Sequence, residues 1–439
     1  MELFGNAMAA IMLGTGAFLT VRLGFFQFTH LGRALSSVFR KERKAEGVTP
    51  FQAMATALGG SVGTANIAGV AGAIAIGGPG AVFWMWAAGL LGMATKLTEI
   101  ILALKFREGR KGGAMYYIER GMGQEYRPLA RAFSFFGGLA ALVGTALVQS
   151  NTVARAALET ARGLGLGFPE TGVLAVSGAA LALLTGAVIS GGAKRIGRFS
   201  EAAVPAMAAL YALAALAVIF LNRARLFSAF VSIVRGAFGL RPFAGGAAGY
   251  GFLRAFRVGV ARGVYSNEAG VGSAPMAHAG SSERDPVKQG LLGIFEVFAD
   301  TIVTCTLTAL VVLTGGFSPL GGEASGMRIA AEAFASGLGS EAASLFLAVS
   351  VSLFAFTSLT GWELYGERCV NYLGGGRLVR PYRAVFLLLI PLGALSSSSL
   401  AWRLGELFNY LMALPNIIAL IALSGTAAGE VKRFKMQEK

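Results

Sequence analysis

The sequence predicts an all-α membrane protein that crosses the bilayer many times, and three observations support this fold class. Hydrophobic residues make up 55% of the 439 positions and charged residues only 14%, against about a quarter in an average soluble domain. The mean hydropathy is +0.63. Continuous apolar stretches of the roughly 20 residues that a spanning helix needs recur along the chain, and their lack of period-two alternation excludes a barrel.

Eleven spans are predicted, arranged as one N-terminal helix followed by two groups of five. They cover residues 4–21, 51–76, 79–105, 131–160, 171–192, 200–221, 250–277, 287–315, 342–373, 380–397 and 402–425. The corresponding units are an extra N-terminal helix with an amphipathic segment (1–50), a first five-helix unit (51–221), an external loop (222–249), a second five-helix unit (250–425) and a cytoplasmic tail (426–439). No basic region precedes the first span and no cleavage site follows it, so we interpret it as a retained helix rather than a signal peptide.

The basic residues predict the orientation of the chain. A net charge of +15 would suggest nucleic-acid binding in a soluble protein, but cytoplasmic loops of membrane proteins collect Lys and Arg. The basic clusters after spans 1, 3, 5 and 9 and at the C-terminus all fall on the same side of the membrane. This places the N-terminus outside and the C-terminus in the cytoplasm, in a plasma or inner membrane. The loop that carries Arg223 and Arg235 fits less well, but long loops weigh less in this rule.

Three shorter segments are predicted to lie along the membrane surface. Residues 25–44 mix aromatic and aliphatic residues with basic ones, as interfacial helices do, although an ordinary solvated connector would also fit. Residues 230–239 and 327–335 show a similar pattern. The two cysteines, Cys305 and Cys369, fall in apolar runs, so no disulfide framework is indicated.

An internal repeat relates the two five-helix units. "NIAGVAGA" at 66–73 recurs as "NEAGVGSA" 201 residues later, and "GLLG" at 89–92 recurs at the same offset, as does the acidic pair Glu99 and Asp300. The copies lie five spans apart, an odd number, so they cross the membrane in opposite directions. Inverted repeats of this kind are the plan of many secondary transporters.

Both repeat-initial spans are predicted to be broken helices, at "GGSVGTAN" (59–66) and "VYSNEAGVGSAP" (264–275). A break in lipid leaves backbone groups unpaired and is tolerated only where it is buried in protein or lines a cavity. The freed N–H and C=O groups can then bind a carboxylate and a cation. Close helix packing explains glycines such as those of the "GLLG" motif. It does not explain the polar Asn66, Asn267 and Glu268 beside the breaks.

Further polar residues lie at membrane depth, where they usually face the protein interior. They are Gln149, Asn151 and Thr152 in the fourth span and Thr357, Ser358, Thr360 and Trp362 in the ninth. A lone hydroxyl often bonds back to its own helix, but a Thr-Ser pair facing a broken helix is better explained as part of a hard-cation shell. We expect the acidic Glu99, Glu296 and Asp300 to pair with Lys96, to pair with each other, or to lie near an interface.

Four stretches resemble the alanine or glycine:cation symporter family, in the order expected and across essentially the whole chain. They are "TPFQAMATALGGSVGTANIAGVAGAIAIGGPGAVFWMW", "GGAMYYIERGMG", "RGVYSNEAGVGSAPMAHA" and "FAFTSLTGWELYGERCVNYL". The resemblance implies a LeuT-type fold with one additional N-terminal helix. It also implies sodium-coupled uptake of a small neutral amino acid, alanine or glycine.

The resemblance also implies particular binding residues. The substrate would contact Thr64, Ala65, Asn66, Gln149, Ser266, Asn267 and Trp362, and sodium would be bound by carbonyls near Gly59 and Val62 and by the hydroxyls of Thr357 and Ser358. Two positions depart from the family pattern. Ala65 replaces the glycine of "GTGN" and would crowd a pocket for small side chains, and Ala114 replaces the proline of "GGPMYY" in a loop.

The predicted mechanism is alternating access, with sodium ordering the unwound backbone before the amino acid binds. A proton-coupled or uncoupled transporter of the same fold stays open, because Glu268 could carry a proton. A passive channel and a membrane-embedded enzyme are two further candidates. The enzyme is disfavoured, since only His30 and His278 are present and no catalytic or nucleotide-binding motif occurs. Neither nucleic acid nor an obligate protein partner is implied.

Overall fold

The computed structural model describes residues 2–39, 47–238, 246–316, 326–396 and 398–437, which are almost entirely helical. The helices are α1 (Glu2–Arg22), α2 (Phe26–Thr29), α3 (Leu31–Ser37), α4 (Pro50–Ser61), α5 (Ala68–Gly77), α6 (Gly80–Lys105), α7 (Ala114–Tyr117), α8 (Arg127–Leu139), α9 (Val148–Gly163), α10 (Glu170–Ile189), α11 (Gly192–Leu221), α12 (Leu226–Ala237), α13 (Gly246–Asn267), α14 (Ala274–His278), α15 (Pro286–Val297), α16 (Cys305–Thr314), α17 (Gly326–Leu338), α18 (Ser340–Gly374), α19 (Val379–Leu395), α20 (Ser398–Ala422) and α21 (Ser424–Gln437). π-helical turns over Ala140–Leu147 and Phe298–Thr304 join α8 to α9 and α15 to α16, so each of these pairs is one continuous span. The prediction of an all-α polytopic membrane protein is confirmed.

Nine helices in the described residues are long and apolar enough to cross a membrane, and a bent pair makes a tenth. The bent pair is α4 and α5, whose axes differ by 59° at the break. It corresponds to the predicted span 51–76 and to the first predicted broken helix. The predicted span 250–277 corresponds to α13 and α14, which do not meet this criterion together. The count of eleven therefore stays a prediction.

Contacts between two connectors indicate whether α13 and α14 together cross the membrane. The N–H of Ser282 donates to the carbonyl of Val48 at 2.9 Å, and the Arg107 guanidinium donates to the carbonyl of Ser281 at 2.7 Å. The connectors before α4 and before α15 thus lie at the same end of the bundle, which requires an even number of crossings between them. Five qualifying spans lie in that interval. These contacts therefore support α13 with α14 as the sixth crossing.

Local sequence signals determine where α4 and α15 begin. Thr49 caps α4 through a capping box with Gln52, and Pro50 occupies the first helical position, where no N–H is needed. Asp285 caps α15 by accepting from the N–H groups of Val287 and Lys288, again with a proline at the first position. Both caps lie at the end of the bundle where the two connectors meet.

The glycines of the two "GLLG" stretches lie where α6 packs against α15, the turn after α15 and the second break. A Cβ at Gly89 would lie 2.9 Å from the Thr301 side chain, and one at Gly92 would lie 3.2 Å from Ala269. Across the same interface, a Cβ at Gly290 would lie 2.5 Å from Leu97. The glycines thus allow α6 and α15, which occupy equivalent places in the repeat, to approach closely, as small residues do between membrane helices.

The segments predicted to lie along the membrane surface form short helices. Residues 25–39 contain α2 and α3, with Phe26 and Ala34 buried against the bundle, while 40–44 lie outside the described residues. α12 covers most of 230–239, and its Ala237 carbonyl accepts the Trp84 indole N–H at 3.1 Å. α17 covers 327–335. Cys305 and Cys369 are buried and free.

Candidate functional site

The first break, between α4 and α5, is held in place by side chains. Asn66 Oδ1 accepts the N–H of Gly63 at 3.0 Å, and the Asn66 carbonyl accepts the Thr308 hydroxyl at 2.8 Å. The Asn66 amide donates to Asp300 Oδ1 at 2.7 Å and to the Ser266 hydroxyl at 3.0 Å. Ser266 in turn donates to Asp300 Oδ2 at 2.6 Å. Backbone groups that a helix would have paired internally are thus satisfied by polar side chains, as burial in lipid or protein requires.

The second break, between α13 and α14, is held by Glu99 of α6. Its Oε1 accepts the N–H groups of Gly270 at 3.1 Å and Gly272 at 3.0 Å, and the Asn416 side chain at 2.7 Å. Asn416 also donates to the Gly270 carbonyl at 2.9 Å and accepts the Tyr117 hydroxyl. Gly270 and Gly272 have φ angles of +95° and +87°, which glycine adopts without the steric cost of a side chain.

The two repeat-related acids therefore anchor the two broken helices. Asp300 accepts from Asn66 of the first break and from Ser266 of α13, and Glu99 accepts from the backbone N–H groups of the second break. Glu296 has a different role, with its carboxylate 3.9 Å from the Lys96 ammonium and 2.5 Å from His278 Nε2. Of the three acids, for which pairing with Lys96 was one of the alternatives, Glu296 is thus the one that forms an ion pair with it. The other two accept hydrogen bonds from groups of the breaks.

A central cavity of about 50 Å³ lies between the two breaks. Its wall combines backbone of the first break with side chains of six spanning segments. The polar side chains in the wall are Ser61, Thr64, Thr145, Gln149, Tyr265, Glu268, Ser358, Trp362, Trp402, Asn409 and Tyr410. The cavity is small and offers hydrogen-bond donors and acceptors on several sides, which is typical of a site for a small polar ligand.

Among the described residues of this cavity wall, Glu268 is the acidic one. Its carboxylate accepts the Trp362 indole N–H at 3.0 Å through Oε1 and the Ser273 hydroxyl at 2.6 Å through Oε2. The residue has φ +53°, a conformation that is uncommon outside glycine. Strained residues of this kind concentrate at functional sites. The geometry presents a fixed carboxylate, with one oxygen held by the indole of α18, to anything in the cavity.

The structure places the substrate residues implied by the resemblance in two layers. Thr64, Ala65, Gln149 and Trp362 line the cavity, and the Thr64 hydroxyl lies 3.5 Å from Gln149 Oε1. The others, Asn66, Ser266 and Asn267, lie behind the wall, at 0%, 1% and 1% exposure. Asn66 and Ser266 bond to each other and to Asp300, and the Asn267 amide donates to the Thr301 hydroxyl at 3.2 Å.

The implied sodium residues cluster where α18 passes the end of α4. The Ser358 hydroxyl donates to the Gly60 carbonyl at 3.3 Å and accepts from the Gln149 amide at 3.4 Å. Thr357 packs on Gly59, where an added Cβ would lie 3.2 Å from the Thr357 Cβ, and its hydroxyl donates to the Phe354 carbonyl at 3.0 Å. Val62 directly follows α4 and leaves the helical conformation, with a ψ of 101°. Hydroxyls and carbonyls are therefore adjacent here, and both are hard oxygen ligands.

Several cavity residues were missed in the sequence analysis. α1 contributes Ala9 and Met12, and α20 contributes Asn409 and Tyr410. Asn409 lies in an otherwise apolar run, a signal that could have identified it. The apolar side chains of α1 carry no such signal. Conversely, the Asn151 amide donates to the carbonyl of Ser396 at 2.7 Å, away from the cavity.

Comparison with known proteins agrees with the membrane fold and the small polar cavity. The profile of the sodium:alanine symporter family matches residues 1–439. An uncharacterized transporter of Haemophilus influenzae is 42% identical over 440 residues, covering 98% of this chain and 94% of that protein. The sodium/alanine symporter AgcS of Methanococcus maripaludis is 40% identical over 445 residues, covering 98% and 94%.

A third relative is named for a different amino acid. The probable sodium/glutamine symporter GlnT of Bacillus subtilis is 36% identical over 445 residues, covering 100% of this chain and 89% of that protein. These relatives are transporters and not enzymes, and the family profile spans every residue of the chain. The chain therefore belongs to the sodium:alanine symporter family, and it is a membrane transporter that couples amino-acid symport to sodium.

Proposed function

We propose that this transporter takes up small neutral amino acids, alanine and/or glycine, together with sodium by alternating access. The observation that carries the proposal is the central cavity between two broken helices. A cavity of about 50 Å³ holds only a few water-sized groups, which suits a ligand with a very small side chain. AgcS, at 40% identity over 98% of this chain, is named as a sodium/alanine symporter.

The polar groups of the cavity match the two charges of an amino acid. The Glu268 carboxylate would pair with the ammonium group of the substrate. The Thr64 hydroxyl and the Gln149 amide stand along the wall at the first break, where N–H groups and hydroxyls can bind the substrate carboxylate. Asn66, Ser266 and Asn267 would then act by holding the two breaks in shape.

The sodium ion would bind where Ser358 meets the α4 backbone. Ser358 is also part of the cavity wall, so the ion and the amino acid would occupy adjacent positions. The ion would order the end of α4, and the amino acid would then bind to a backbone already in place. Each ligand would raise the affinity of the other, because the ordering is required only once.

A proton-coupled transporter is a second candidate, favoured by the carboxylate of Glu268 in the cavity wall. A carboxylate that can take up a proton at the substrate site is a common element of proton-driven transport. The two candidates differ in the gradient that drives uptake. GlnT is named as a probable sodium/glutamine symporter, so the length of the transported side chain also needs a direct measurement.

Reconstituted vesicles test the proposal. Purified protein in liposomes should accumulate labelled alanine or glycine under an inward sodium gradient, and an inward proton gradient without sodium should drive no accumulation. Glutamine should compete weakly, because its side chain exceeds the cavity. Failure of both alanine and glycine to accumulate with sodium would overturn the proposal, and accumulation that follows protons alone would select the second candidate.

The first mutational prediction concerns the sodium ligands. Replacing both Thr357 and Ser358 with alanine should abolish the sodium dependence of alanine binding, because both side-chain oxygens beside α4 are removed. The measurement is equilibrium binding of labelled alanine over a sodium titration. Thr360→Ala is the matched control, since the Thr360 hydroxyl donates to the Thr357 carbonyl of its own helix. An unchanged sodium titration in the double variant would contradict the assigned ion site.

The second mutational prediction concerns Ala65, whose side chain lines the cavity. Ala65→Gly should enlarge the site by one methyl group and raise uptake of 2-aminobutyrate relative to alanine about tenfold, the usual effect of one methylene in an apolar pocket. Competition assays in the vesicles measure this ratio. Ala75→Gly is the control, because it is the same exchange at a position of α5 that is away from the cavity. An equal ratio in both variants would show that Ala65 does not limit substrate size.

A further inference from the structure

A second and larger cavity lies at one end of the bundle. Its volume is about 550 Å³, and its wall includes Asn6 of α1 and Ile76 of α5. These residues belong to the end that the distribution of basic loops predicts to be external. The charged residues that the structure describes in this wall come from α13 and α20 and are Arg254, Arg257, Arg262, Arg403 and Glu406.

This outer cavity adjoins the central cavity. Both are lined by Ala261, Tyr265 and Tyr410, so the two phenol rings stand between the two spaces. Arg262 precedes Tyr265 by three residues on α13, and Glu406 precedes Tyr410 by four residues on α20, so each charged group shares a helix face with one of the tyrosines. A solute that leaves the outer cavity past these tyrosines reaches the Glu268 side of the central site.

The outer cavity also explains why α13 carries arginines at membrane depth. Three of them fall within nine residues of α13, which makes this helix too polar to resemble an ordinary span. Arginine at membrane depth is costly and normally faces a water-filled cavity or a pathway. Here the arginines of α13 line the outer cavity together with side chains of α20. They therefore face this cavity rather than lipid.

The charge of the wall favours a ligand that carries a carboxylate. Among the described residues of this wall, Arg254, Arg262 and Arg403 outnumber the acidic Glu406, and a concave site lined by one sign of charge concentrates ions of the opposite sign. Guanidinium groups bind carboxylates with two parallel hydrogen bonds. The Glu406 carboxylate supplies a partner for an ammonium group at the inner end of the same cavity. The set is complementary to a zwitterion that approaches with its carboxylate among the arginines.

We propose that the outer cavity is a second amino-acid subsite, which captures the substrate by its carboxylate before the substrate passes Tyr265 and Tyr410. This inference rests on the proposed amino-acid transport. The outer subsite raises the local concentration of substrate at the central site. It acts on capture and not on the conformational step that follows.

The test is uptake of labelled alanine by vesicles containing the full chain with Arg262→Gln and Arg403→Gln together. The expected result is a KM about tenfold higher with kcat nearly unchanged, in line with the gain that electrostatic capture gives. The difference should shrink in 1 M potassium chloride, where the Debye length falls to about 3 Å from about 10 Å at 0.1 M. Arg235→Gln is the control. It removes one positive charge, against two in the double variant, from α12, whose Gly236 packs on Gly80 at the same end of the bundle.

N-acetylalanine provides a second readout, because it keeps the carboxylate, lacks the ammonium and is larger than alanine. It should inhibit uptake by the original protein competitively, and the double variant should lose this inhibition. An unchanged KM in the double variant, or an equal rise in the Arg235→Gln control, would overturn the proposal. Absence of uptake by the original protein would instead overturn the proposed function.

Acidic lipid headgroups are the other source of negative charge near these arginines. The assay is therefore run in phosphatidylcholine vesicles with and without phosphatidylglycerol. The proposal requires the change in KM in both. A change that occurs only with phosphatidylglycerol would mean that the arginines bind lipid, and the subsite would be rejected.

Discussion

Glu268→Gln should weaken alanine binding about a hundredfold or more at saturating sodium. The carboxylate lines the central cavity, and removing one member of a buried ion pair typically costs about 3–5 kcal/mol. Glutamine has nearly the same shape, and its amide can accept from the Trp362 indole and donate to the Ser273 hydroxyl. The loss therefore reports the charge and not the packing. Equilibrium binding of labelled alanine measures it.

Ser273→Ala is the matched control for this prediction. It removes one hydrogen bond to the Glu268 carboxylate and leaves the charge, so a loss of severalfold, equivalent to about 1 kcal/mol, is expected. Glu268→Asp should fall between the two, because the charge is kept but withdrawn from the cavity. Alanine binding by Glu268→Gln that matches the original protein would rule out a pairing of this carboxylate with the substrate ammonium. If such a variant also lost a pH-driven component of uptake, a proton-carrying role would be favoured.

Glu99→Ala should destabilise the folded protein by several kcal/mol and abolish transport. Three donors, the N–H groups of Gly270 and Gly272 and the amide of Asn416, lose their acceptor. Each buried donor left without a partner costs about 1–3 kcal/mol. We expect the unfolding midpoint in detergent to fall by roughly 10 °C or more. Size-exclusion chromatography after stepwise heating measures the midpoint.

Two variants separate the possible causes of this effect. Thr98→Ala removes a neighbouring buried hydroxyl that bonds within α6, to the Ala94 carbonyl, and should change the midpoint little. Glu99→Gln keeps an acceptor oxygen and should retain much of the stability that Glu99→Ala loses. Equal midpoints for Glu99→Ala and Thr98→Ala would mean that Glu99 does not hold the second break.

The spans were predictable because a helix in lipid must be both apolar and about 20 residues long. The predicted spans at 131–160 and 342–373 correspond to Gln124–Gly163 and Ser340–Gly374. The first break was predictable for a similar reason, since glycines and polar residues at membrane depth have few structural uses. The count of eleven was harder, because the arginines of α13 make that helix resemble a surface segment.

The candidate site was predictable only in part. Thr64, Gln149 and Trp362 line the cavity, and each is a polar or aromatic residue in an apolar run. Asn66 and Asn267 carry the same signal but lie behind the wall, because hydrogen bonds to Asp300 and Thr301 turn them away from it. Met12 carries no polar signal, yet α1 brings it into the wall.

The sequence by itself determined the membrane fold class, the repeat at an offset of 201 residues and the places where the helices break. These follow from properties that act locally along the chain, namely hydropathy, helix propensity and the cost of unpaired backbone in lipid. The tertiary structure decided which polar groups satisfy each break and which face the cavity. Glu99 and Asp300 look alike in sequence, and only the packing of α6 against α15 brings Glu99 to the backbone of the second break and Asp300 to Asn66 of the first break and Ser266 of α13. Such pairings depend on distances between residues far apart in the chain, and local sequence does not encode those distances.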